Sequence, residues 1–194
     1  MLFTSEKLVN QSIENQLTQQ EKREALEQAK NTVTHLDNAN QELYLPIRSF
    51  GITRLHGAFV TLRTPDHQLR GCIGRVITEE PLYKVITQVA HDAALRDSRF
   101  NPVAPQEIPS LKVELSVLSV PQKVKSYAQI QLDKNGIILE NKGKSALFLP
   151  EVSQEFKWTL EQTLEQLAQK AGLPATAWQD PDTSYKVFST LILK

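Results

Sequence analysis

The chain of 194 residues is short of several things, and each shortage closes a route. It has one cysteine, Cys72. An intrachain disulfide is therefore excluded, which suits a reducing compartment. It has no excess of charge, with 22 basic against 22 acidic residues. That removes the bulk electrostatic footprint expected of a protein that binds duplex nucleic acid or an anionic membrane. Aromatic residues make up only 7%, which also argues against stacking on nucleic acid. No apolar run approaches the length needed to span a bilayer. The start, MLFTSEKLVNQSIENQ, turns polar too soon for a secretory leader. Seven glycines and ten prolines are too few to suggest disorder. A cytoplasmic globular protein is expected, with no membrane partner.

What is present reads as hairpins mixed with helices. Residues 1–17 are expected to be a polar tail, with the folded domain over 18–194. Thr18 and Glu21 have capping-box spacing, and Leu26, Ala29, Val33 and Leu36 predict a helix over about 19–37. Residues 37–56 carry Asn, Pro and Gly punctuation and read as a long connection. GAFVTLR (57–63) and QLRGCIG (68–74) are strands joined by the turn TPDHQ. Strict alternation would put Leu69, Gly71 and Ile73 on one face of the second strand, with Arg70, Cys72 and Gly74 on the other. Pro81 suits the first turn of a helix striped by Leu82, Val85, Ile86, Val89 and Ala93. LKVELSVLS (111–119) alternates as a strand. Strands are also expected over 137–140, 145–150 and 184–193, with one helix striped from Phe156 to Ala171. The absence of regular βαβ alternation predicts an α+β fold: a mostly antiparallel sheet with flanking helices, in a larger and a smaller lobe.

Cys72 is the natural candidate for chemistry. A thiol becomes nucleophilic beside cations or a helix N-terminus, and Arg70 is expected on its strand face. The competing reading is a small buried residue. A catalytic thiol usually needs a base, and the spacing of His35, His56, His67 and His91 commits none of them to Cys72. No His-Glu-x-x-His, Cys-x-x-Cys, P-loop or GxGxxG pattern is present, so no metal and no cofactor is expected. Asp97 falls at the C-terminus of its helix, where the macrodipole disfavours an acid. It is expected to have a specific partner, Arg99 or Arg70, in a loop-anchoring ion pair. Glu114 and Ser116 share the polar face of a strand and are candidates to contact a ligand.

Taken together, GAFVTL (57–62), LRGCIG (69–74), DSRF (97–100), VELSVL (113–118), LFLPEV (147–152) and KAGLP before Trp178 resemble the AMMECR-one domain family, whose prokaryotic members are called AmmeMemoRadiSam system protein A. The resemblance covers nearly the whole chain. It implies a two-lobed α+β fold with LRGCIG as a functional surface, and association with a Memo-like protein and a radical-SAM protein. It implies no particular reaction. One position departs: the family commonly has glutamine where this chain has Glu151. The reading that follows is a ligand- or partner-binding module. Arg70, Gly71, Gly74, Asp97, Arg99 and Glu114 are its binding candidates, and a small molecule is a candidate ligand. An enzyme with Cys72 as nucleophile or redox centre is one alternative. An RNA-associated factor is another.

Overall fold

A computed structural model describes residues 13–36 and 56–194. In chain order the elements are α1 (Gln19–Thr34), β1 (Ala58–Arg63), β2 (Leu69–Arg75), α2 (Leu82–Leu95), β3 (Lys112–Leu118), β4 (Gln122–Val124), β5 (Gly136–Asn141), β6 (Lys144–Phe148), α3 (Pro150–Phe156), α4 (Leu160–Lys170), β7 (Ser184–Phe188) and β8 (Thr190–Leu193). The fold is α+β, with two four-stranded antiparallel sheets. A larger unit spans 11–120 with 191–194, and a smaller one spans 121–190. No helix among the described residues is long and apolar enough to cross a membrane.

The larger unit is built on the sheet β2-β1-β3-β8. Its inner face carries Ala58, Val60, Leu62, Leu115 and Val117, all fully buried. α2 packs on β1 and β2, and α1 packs on α2 and β3. The stripe Leu82, Val85, Ile86 and Val89 is completely enclosed, each side chain contributing roughly 1.5–3 kcal/mol relative to exposure. The Thr18 capping box forms as expected, with the Glu21 N–H donating to Thr18 Oγ1 and the Thr18 N–H to Glu21 Oε2. The core begins earlier than the expected tail boundary. Ile13 and Leu17 are buried in it, while residues 1–12 lie outside the described residues. Of the expected connection 37–56, only His56 is described.

The smaller unit holds the sheet β4-β7-β5-β6. Ile137 and Leu139 pack with Leu164, Leu167, Ala168, Trp178 and Tyr185. Here three expectations need correction. The single helix from Phe156 is two helices, because Lys157 adopts a left-handed conformation at φ 53° and ends α3. Thr159 then starts α4 with its own capping box to Gln162. The expected strand 145–150 stops at Phe148, since Pro150 opens α3. The expected closing strand 184–193 is divided between two sheets: β7 lies between β4 and β5, and β8 lies beside β3. Glu151 occupies the first turn of α3, where the helix macrodipole favours an acid.

Candidate functional site

β2, the strand of LRGCIG, is the edge of the first sheet. It pairs with β1 so that Thr61 faces Cys72, Leu62 faces Gly71, and Arg63 faces Leu69. Arg70 is therefore an extra residue, and the ladder bulges there. The bulge resets the alternation. Gly71 and Ile73 face the core with Leu62 and Val60, whereas Leu69 falls on the side of Arg63 and Thr61. The expectation that Leu69 shares the face of Gly71 is thus corrected. It shares the outer face with Cys72 and Gly74, and is 37% exposed.

The bulge also redirects Arg70. Its Nε donates to Glu107 Oε1 at 2.8 Å and its Nη2 to Oε2 at 3.1 Å. Nη1 donates to the Asn101 carbonyl at 2.9 Å. This fork-on-fork pair is the strong form of a charge-assisted contact. The Arg70 guanidinium holds Glu107 below the ordinary carboxylate range, helped by the Ala104 N–H at 2.8 Å. Arg70 was expected to serve the thiol; instead it ties β2 to the loop after α2.

That loop also closes the strand edge at Cys72. An edge strand leaves alternate N–H and C=O groups unpaired. The Cys72 N–H donates to Asp97 Oδ2 at 2.8 Å, and the Cys72 carbonyl accepts from Arg99 Nη2 at 3.0 Å. Asp97 is itself gripped by Arg99, through Nε at 2.9 Å, Nη2 at 2.7 Å and the backbone N–H at 3.2 Å. The Asp97 side chain is only 4% exposed. Arg99 foremost holds its carboxyl far below the ordinary range, against the opposing effect of burial, with the Cys72 N–H assisting. Asp97 in turn raises Arg99 further above its ordinary value. Of the two partners expected for Asp97, Arg99 is the one found.

The two glycines of the motif answer to packing. A Cβ on Gly71 would lie 2.1 Å from the Ala93 carbonyl oxygen of α2, and one on Gly74 would lie 2.2 Å from the Phe59 ring. The close approach at Gly71 is therefore that of the protein's own helix backbone, and at Gly74 that of its own aromatic ring.

Beyond the edge, the outer face carries a polar row across three strands: Cys72, Thr61 and Glu114. Thr61 Oγ1 donates to Cys72 Sγ at 3.3 Å. Glu114 is flanked by Arg63 at 3.4 Å and Lys194 at 3.3 Å. Cys72 is half-buried. The histidines are engaged elsewhere. His56 is buried with Nδ1 at 3.1 Å from the Leu118 carbonyl. His67 Nε2 lies 2.8 Å from Lys112 Nζ. His91 lies 3.6 Å from Asp92, and His35 bonds the Asn31 carbonyl. None hydrogen-bonds Cys72. Among the described residues, no group of three His, Cys, Asp or Glu could hold a metal ion.

The sequence reading brought Cys72, Asp97 and Arg99 to one place and missed Glu107 and Thr61. Thr61 was accessible in principle, because hairpin register sets it opposite Cys72. Glu107 carries no local signal, since its partner is distant in sequence.

Comparison with known proteins adds the family. The chain matches the AMMECR1 family over residues 6–193. A protein of Thermococcus gammatolerans is 39% identical over 147 residues, covering 71% of this chain and 72% of the relative. A protein of Aquifex aeolicus is 36% identical over 143 residues, covering 71% and 73%. The crystal structure of an uncharacterized protein from Pyrococcus horikoshii is similar with a TM-score of 0.76 at 31% identity, covering 87% of this chain and 88% of that one. A match running almost end to end, over residues 6–193, places the chain in the AMMECR1 family.

Proposed function

We propose that the chain is a binding module that receives a small-molecule ligand or a partner protein on the outer face and edge of β2. The supporting observation is the state of Cys72. Its backbone is fixed by Asp97 and Arg99, its thiol accepts from Thr61, and no histidine bonds it. Such a site has preorganised polar groups, and among the described residues no histidine serves it as the base that thiol nucleophiles usually use. Within it, Cys72, Glu114 and Arg99 meet the ligand. Arg70, Gly71, Gly74 and Asp97 hold the strand in place.

The partners proposed are the Memo-like and radical-SAM proteins that the family resemblance implies. Tagged versions of both, expressed with this chain, should retain it on affinity capture. A chain that neither partner retains, and that carries no metabolite in native mass spectrometry of the purified protein, would remove this reading. Alkylation of Cys72 provides the check against an enzyme. A rate at neutral pH no faster than that of free cysteine fits binding, and a much faster one favours a nucleophile.

A further inference from the structure

We propose that the open edge of β2 at Gly74 receives the C-terminal end of an extended partner peptide, added as one short strand with its terminal carboxylate against the Arg99 guanidinium. This names the partner chemistry of the β2 surface and rests on the binding reading above.

Hydrogen-bond direction alternates along the edge of β2. The Cys72 N–H and C=O point away from β1, because they bond Asp97 and Arg99. Pairing is regular from Gly71 to Arg75. In an antiparallel ladder the backbone groups turn inward and outward on alternate residues. The N–H and C=O of Gly74 therefore also point off the edge. Neither has a hydrogen-bond partner among the described residues. One outward donor and one outward acceptor on a single residue match one residue of an extended backbone, which is the basis of strand addition.

The surroundings set the length and the end of the added chain. Two residues back, the edge is closed at Cys72 by the Asp97–Arg99 clamp, whose carboxylate is buried. A strand added at Gly74 cannot run on past that clamp, so it stops there. The Arg99 guanidinium stands at the stop. Its side chain is 55% exposed, Nε and Nη2 are used, and Nη1 has no partner among the described residues. A terminal carboxylate ends the chain and meets this cation. A second copy of the protein fits less well. Two β2 edges joined about a two-fold axis at Gly74 would each press the other's clamp two residues away.

The test uses the full chain labelled uniformly with 15N, so that the amides of Gly71, Gly74, Thr61 and Glu114 each report. In the free chain the Gly74 amide should exchange at least about tenfold faster than that of Gly71, which is turned onto β1. A display library of short random peptides with free carboxyl ends supplies the probe. A selected peptide should shift and protect the Gly74 amide, and amidating its C-terminus should weaken binding about tenfold or more. The inference is overturned by a Gly74 amide as slow as Gly71 in the free chain. It is equally overturned if no peptide is selected, or if the amidated peptide binds as well as the free acid. Ligands that perturb Thr61 and Glu114 and leave Gly74 unchanged overturn the edge inference alone; the face reading stands or falls separately, on partner and metabolite retention.

Discussion

Replacing Asp97 by asparagine tests the clamp on which both functional readings depend. The change keeps the side-chain shape and removes the charge. Asp97 accepts four hydrogen bonds, three from Arg99 and one from the Cys72 N–H. Bonds to a charged group contribute about 1.5–3 kcal/mol each when fully desolvated. Arg99 is more than half exposed and recovers solvation when released, so its share is discounted heavily. The Cys72 N–H and the buried position of residue 97 remain. The expected loss is about 2–3 kcal/mol, or a fall in melting temperature of about 5–10 °C for a chain of this length. Urea unfolding at neutral pH measures it, with Asp92→Asn as control. Asp92 pairs with a largely exposed Arg96, so that change should cost less than about 0.5 kcal/mol.

The pH dependence has a definite sign. Asp97 is depressed in the folded state, so its contribution is full above the unfolded value of about 3.9 and is lost as pH falls below it. The gap between wild type and Asp97→Asn should be constant through neutral pH and narrow below about pH 4. An Asp97→Asn protein as stable as the Asp92→Asn control, or a gap unchanged in acid, would refute the reasoning.

Gly71→Ala should destabilise by about 2–3 kcal/mol, because the new Cβ meets backbone of α2 that cannot yield cheaply. Gly74→Ala meets a side-chain ring that can rotate, and should cost about half as much in the same urea assay. Glu107→Gln removes the charge paired with Arg70; with Glu107 partly exposed, a loss of about 1 kcal/mol is expected, with faster amide exchange at Arg70 and Gly71. Tyr185 donates its hydroxyl to the Trp178 carbonyl and is pushed up to about 12 by burial. Ultraviolet phenolate titration of wild type against Tyr185→Phe should assign it a transition near that value. Its contribution to stability is full below about pH 10 and is lost as pH rises through the folded value. A Tyr185 transition at the ordinary tyrosine value of about 10 would contradict its burial.

Local patterns were legible where local physics decides. The Thr18–Glu21 box, the hairpin around TPDHQ, the α2 stripe and the alternation of β3 all formed as read. The failures occurred where a local pattern was ambiguous. Phe156 and Leu160 have helical spacing, yet Phe156 stacks on Trp158 at 4.6 Å and is 56% exposed. The apolar stripe therefore overran a true helix end. SYKVFSTLIL has strand composition throughout, and nothing in it marks the residue at which the chain changes sheets.

The sequence by itself determined the family, the α+β class, the hairpin carrying LRGCIG, and the presence near it of an acid and an arginine spaced to pair. The family follows from the resemblance of the motifs to a known family, and the rest from short-range spacing and turn chemistry. The tertiary structure alone decided that Arg70 sits in a bulge and serves Glu107, that Leu69 faces outward, and that Asp97 and Arg99 bond the backbone of Cys72. It also decided that the glycines make room for α2 and Phe59. The physical reason is common to all of these. A strand edge is satisfied by whatever segment folds beside it, and a bulge appears only when two strands are set in register. Both depend on contacts between residues far apart in the chain, which no local pattern records.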